Sequence, residues 1–209
     1  MTDRRRFLCI ALAGATLATV GARPALASIE EEAASFLTDL GNRAIAELTD
    51  GNLSDQERVD RFRALLMESV SFPLIAQQVL GPYWRDSGDA LRQEFALVLR
   101  ETLIGRFTEV FEDYRGETFD VASTRTSSKD DSLVAATTQV RAPNGELAKL
   151  EWFMKRLEQG FRIYDVTVEG VRLSASLQEE YKAVLGQNDG DVADLIARMK
   201  AKLPPTAKL

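Results

Sequence analysis

Residues able to do covalent or acid–base chemistry are sparse in this chain of 209 residues. It has no histidine, which removes the commonest general base and zinc ligand. Its single cysteine, Cys9, lies in a basic and apolar N-terminal segment, and no thiol nucleophile stands elsewhere. Carboxylates remain. Asp165 and Glu169 stand four apart on an alternating stretch, hence on one face of a strand. At about 3.3 Å per residue they are separated by roughly 13 Å, too far for a glycosidase pair. They read as solvated or capping acids, and Ser174 and Ser176, at the start of a helical pattern, read as caps. Glycine-rich phosphate loops and GxSxG elbows are absent. Chemistry is thus hard to find in the residue types: they offer no evident catalytic group, metal site or cofactor, although carboxylates could still do acid–base work.

What could bind is apolar. In 150–173, two alternating segments flank Glu158, Gln159 and Gly160, the pattern of an antiparallel hairpin with a short glycine turn. Leu150, Trp152 and Met154 share a face on the first arm, and Tyr164, Val166 and Val168 on the second. Such a surface needs a cover, and the helices supply it. A 3.6-residue period predicts helices over 29–49, from the capping box Ser54-Asp55-Gln56-Glu57, over 74–80, over 87–114, and twice more after the hairpin. The stripe of 87–114 carries Phe95, Leu103, Phe107 and Phe111, an aromatic face wide enough to wall a pocket. Phe119 and Val121, then Val134, Ala136, Thr138 and Val140, alternate as two further strands. The expected fold is α+β, a four-stranded antiparallel meander covered by about six helices, with an apolar cavity between sheet and helices.

The N-terminus reads as an export signal spanning 1–27, with one domain over 28–209. Arg4, Arg5 and Arg6 precede an uncharged run, and Ala25-Leu26-Ala27 offers a cleavage site. Asp3-Arg4-Arg5-Arg6-Phe7-Leu8 resembles a twin-arginine signal, which implies a bacterial periplasmic destination. Losing that segment takes the net charge from −6 to about −9, because it holds four arginines against Asp3. So acidic a surface argues against nucleic acid and against standing adsorption to anionic lipid, leaving only transient membrane contact.

Two stretches carry a family resemblance. The run 72–85, with Leu80-Gly81-Pro82-Tyr83-Trp84, is similar to the leucine-glycine-x-tyrosine-tryptophan signature of the MlaC-like proteins, the toluene-tolerance family of ABC transporter auxiliary components. Tyr164-Asp165-Val166 and Glu169-Gly170-Val171 resemble its second hallmark, with Phe161 and Arg172 departing from the usual Trp and Ser. The resemblance covers about 29–203. It implies a periplasmic carrier with phospholipid as cargo, shuttling between an outer-membrane lipoprotein complex and an inner-membrane ABC transporter and serving outer-membrane lipid asymmetry. The cavity lining it implies is Phe72, Ile75, Val79, Leu103, Phe107, Phe111, Leu150, Trp152, Met154, Tyr164, Val166 and Val168. Gly81, Tyr83 and Trp84 are read as a structural corner. Two alternatives stay open: a carrier for a hopanoid or another apolar lipid, distinguished by mass spectrometry of extracted lipid, and a small enzyme such as an isomerase, which needs a carboxylate at the pocket floor.

Overall fold

The computed structural model describes residues 27–108 and 116–209. The signal-like residues 1–26 and the portion 109–115 of the helix expected over 87–114 lie outside the described residues. Five helices come first: α1 (Ile29–Leu48), α2 (Asp55–Ser69), α3 (Phe72–Leu80), α4 (Pro82–Asp86) and α5 (Asp89–Thr108). Five strands follow, β1 (Thr118–Thr126), β2 (Leu133–Arg141), β3 (Leu147–Leu157), β4 (Gly160–Val168) and β5 (Val171–Arg172), then α6 (Leu173–Leu185) and α7 (Val192–Lys200). The strands form one antiparallel meander in chain order.

The α+β order agrees with expectation, while the count exceeds it by one strand and one helix. β5 is a two-residue return after the Glu169-Gly170 turn. α4 arises because Gly81-Pro82 does more than stop a helix. Gly81 takes φ +53 between the two helices, and Pro82, preset to helical φ, starts a new turn at once. A Cβ at Gly81 would also collide with the Gln178 amide of α6.

α1 begins at a capping box in which Ser28 Oγ accepts from the Glu31 amide and Glu31 accepts from the Ser28 amide. The box predicted at Ser54 and Glu57 opens α2 in the same way. The first half of α1 packs on the sheet, with Ala33 and Leu37 against Val134, Met154, Phe161 and Ile163. Its end leaves the sheet, and Leu48 joins Phe62 and Leu65 of α2 and Ile104 of α5. A separate helical core holds α3, α5, α6 and α7, with Phe95, Leu99 and Leu103 at most 4% exposed. The described part of the long aromatic helix, α5, is thus packed against neighbouring helices rather than on the sheet, and α1 and α2 cover the sheet. Val70 bridges in parallel to Ile163, and the Ser71 amide donates to Ile163 O at 2.8 Å, which fastens the α2–α3 junction to β4.

The segment after Pro204 is docked rather than a loose tail. The Glu101 carboxylate, fully buried, accepts from Arg63 Nη2 at 2.9 Å, Arg100 Nε at 2.7 Å and the Lys208 amide at 3.0 Å. Arg63 also donates to Thr206 O at 2.8 Å. Burial alone would raise the Glu101 carboxyl, but the hydrogen bonds from Arg63, Lys208 and Arg100 outweigh it and hold it below the usual carboxylate range. A group depressed in the folded state stabilises above its unfolded pKa, about 4.3 for Glu, and that stabilisation disappears as pH falls through the folded value. Acid that carries the pH down through that lowered folded value is thus expected to release residues 204–209, seen as loss of the native Lys208 amide resonance. Glu101→Gln, mimicking the protonated form, is expected to expose the tail to carboxypeptidase at pH 7.

Candidate functional site

Where α1 passes from the sheet to α2, a partly enclosed cleft of about 450 Å³ opens beneath it. Leu40, Ala44 and Ile45 of α1 form one wall, and Phe62, Leu65 and Leu66 of α2 another. The sheet contributes Phe119, Val140, Leu150, Trp152 and Ile163. Three lining residues are polar, Ser69, Glu117 and Thr118, and the Ser69 hydroxyl donates to Leu65 O at 2.6 Å within its own helix. Trp152 donates Nε1 to Thr138 Oγ1 at 2.9 Å, on a threonine with no exposure. That bond satisfies the indole within the sheet, so the ring presents only carbon to the cleft. A larger groove of about 670 Å³ lies between α5, α6 and α7, but Arg106, Glu180, Arg198 and Lys202 stand among its lining residues. The smaller cleft is the better site for an apolar guest, and its volume lies in the range of ligand pockets.

Of the expected lining residues, Leu150 and Trp152 are on the cleft wall. Val166 pairs with Trp152 and Val168 with Leu150, so both share that face, Val168 being 45% exposed beyond the cleft. Met154 is fully buried at the packed end under Ala33 and Leu37. Phe72, Ile75, Val79 and Leu103 sit in the helical core, and Phe107 packs between it and the α2 cluster. Phe111 lies outside the described residues.

Tyr164 is a correction. Phe153 pairs with Asp165 but Met154 with Ile163, so Tyr164 is the extra residue of a β-bulge. The bulge turns Tyr164 to the opposite side of the sheet, 6.3 Å from the Phe153 ring, in a recess with Arg125 and Arg172. Ile163 takes the cleft position instead. Burial pushes the Tyr164 phenol up, partly countered by Arg172. A bulge is invisible in one strand's alternation because the partner register defines it. The walls that sequence reasoning passed over, α1 and α2, carried the signal in their periodic stripes.

The two acids behave as caps. Asp165, 1% exposed, accepts from Arg172 Nε at 2.6 Å, Ser174 Oγ at 2.5 Å and the amides of Ser174 and Val166 at 3.1 and 3.0 Å. It ties β4 to the start of α6, on the side of the sheet away from the cleft. Arg172 also lies 4.0 Å over the Phe153 ring. Glu169, at φ +48 in the β4–β5 turn, accepts from the Lys149 amide. The stretch Gly81 to Trp84 is a corner at α4, with Arg92 5.5 Å over the Trp84 ring and bonded to Trp84 O.

A meander sheet left partly uncovered beneath a helix, with an apolar space between, defines an α+β container. The chain belongs to the MlaC family, whose model, described as MlaC protein, matches residues 38–201. Among solved structures, the phospholipid-binding protein from Ralstonia solanacearum in complex with a phospholipid is similar in fold. The TM-score is 0.74 at 19% identity, covering 84% of this chain and 99% of that one. No curated protein matches the chain.

Proposed function

We propose that the cleft under α1 encloses the acyl chains of a phospholipid and that this protein is a periplasmic lipid carrier. In this reading it moves lipid between an outer-membrane lipoprotein complex and an inner-membrane ABC transporter, in a pathway of the Mla type. The observation that carries the reading is a cleft lined mainly by apolar side chains from helices and sheet in a chain of the MlaC family. The Ralstonia relative, described as bound to a phospholipid, supports it. At roughly 0.8 kcal/mol per buried methylene, hiding a sixteen-carbon chain is worth about 12 kcal/mol, so a lipid crossing water must have its tails enclosed. The cleft volume, at roughly 30 Å³ per water-sized group, is room for about fifteen such groups, close to one chain. Binding rather than turnover is the reading because Asp165, the acid that the sequence offers for an isomerase, faces α6 instead, and Glu117, the carboxylate among the cleft's lining residues, stands with mainly apolar neighbours there. Among the described residues no helix is long and apolar enough to cross a membrane, and export through the twin-arginine route is part of the proposal.

Native mass spectrometry of protein purified from its own periplasm tests this. A bound phospholipid mass that vanishes on delipidation and returns on incubation with phosphatidylglycerol vesicles is expected. A polycyclic mass instead would move the assignment to a hopanoid carrier, and no lipid under either condition would refute it.

A further inference from the structure

Gly41 is the one position in α1 without a side chain, and the ring of Phe119 fills the space beside it. A Cβ at position 41 would stand 2.5 Å from Cδ1 and 2.8 Å from Cε1 of that ring, far inside contact distance. Glycine is disfavoured relative to alanine in the middle of a helix, so its presence here marks a close approach. Phe119 lies on β1, the edge strand that α1 runs along. The Trp152 ring stands edge-on to the Phe119 ring at 6.5 Å. All three residues line the cleft. A side chain at position 41 must therefore displace the Phe119 ring within the cleft wall.

We infer that Gly41 and Phe119 set the bore of the cleft and with it the volume of acyl chain that the protein accepts. The inference rests on the phospholipid reading above and names its specificity determinant. Phe119 touches the chain, and Gly41 is a positioning residue that acts through the Phe119 ring. Any side chain at 41 narrows the passage, and a smaller residue at 119 widens it again.

The test is competition among phosphatidylglycerols of short, medium and long saturated chains, supplied in equal amounts in mixed vesicles and read by native mass spectrometry. Gly41→Ala should shift the bound population toward shorter chains, with the long-to-short ratio falling roughly tenfold, the equivalent of about two methylenes left unburied. Phe119→Leu in the Gly41→Ala background should restore the wild-type ratio, and Phe119→Leu alone, where there is no clash to relieve, should raise the ratio above wild type, which a merely structural defect at position 41 would not produce. An unchanged ratio in Gly41→Ala, or a shift that Phe119→Leu leaves in place, overturns the assignment while the wild type still loads lipid. Wild-type protein that loads no phosphatidylglycerol overturns the carrier reading and this inference with it.

Discussion

Leu150→Glu is expected to leave the protein folded but unable to hold lipid. Leu150 is half-buried on the cleft wall, and its register partner Val168 is 45% exposed, so an empty cleft lets the new carboxylate reach water. An acyl chain laid against it removes that water and leaves an ionised group facing hydrocarbon, a cost of several kcal/mol. Since each 1.4 kcal/mol is tenfold in affinity, loading should fall by about a hundredfold or more at pH 7. Leu150→Gln keeps the shape and removes the charge, so it should lose roughly tenfold only. Acidification separates the two further: loading by the Glu variant should recover as its carboxyl protonates, whereas the Gln variant should not respond. Uptake from phosphatidylglycerol vesicles measures all three proteins. Equal loading by Leu150→Glu and wild type would show that the chains lie elsewhere.

Much of this fold is legible in local sequence because local rules decide it. The Ser54–Glu57 box and the Gly160 turn act within a few residues, and each appears as predicted. Layer assignment is not local. The stripes of α1 and α5 look alike as periodicity, and the phenylalanines made α5 the attractive roof. What seats α1 on the sheet is a set of distant contacts: Phe36 on Phe161, Glu30 on Thr126, and the Val70–Ile163 bridge that holds the helical core to one side. The site was legible for Leu150 and Trp152, whose face follows from alternation, and illegible at Tyr164, where an unpaired residue inverts the phase. The two stretches that carry the family resemblance are instead a positive-φ glycine between two helices at Gly81 and a buried carboxylate hub at Asp165. They hold elements in place, while the cleft is walled mainly by ordinary aliphatic positions that any packed helix would show.

That division predicts a variant that loses stability without losing its ligand. Asp165→Ala removes an acceptor serving Arg172, the Ser174 hydroxyl and two backbone amides, at a site 1% exposed. Removing one partner of a buried pair costs about 3–5 kcal/mol, and an unsatisfied buried donor about 1–3 kcal/mol. Arg172 is 41% exposed and can rehydrate, which puts the expected loss near the low end, about 3 kcal/mol. For a domain of this size that is a fall of roughly 6–12 °C in Tm. Asp165→Asn retains one acceptor oxygen and should lose about half as much. Because Asp165 faces α6 and not the cleft, folded Asp165→Ala protein should load phosphatidylglycerol as the wild type does. Arg172→Ser should cost less still, since Ser174 and the α6 amide keep their acceptor, while freeing the Phe153 ring from its cation. A wild-type melting temperature for Asp165→Ala would mean that α6 is anchored by its apolar face alone. Normal stability with lost loading would instead place this carboxylate on the path of the lipid.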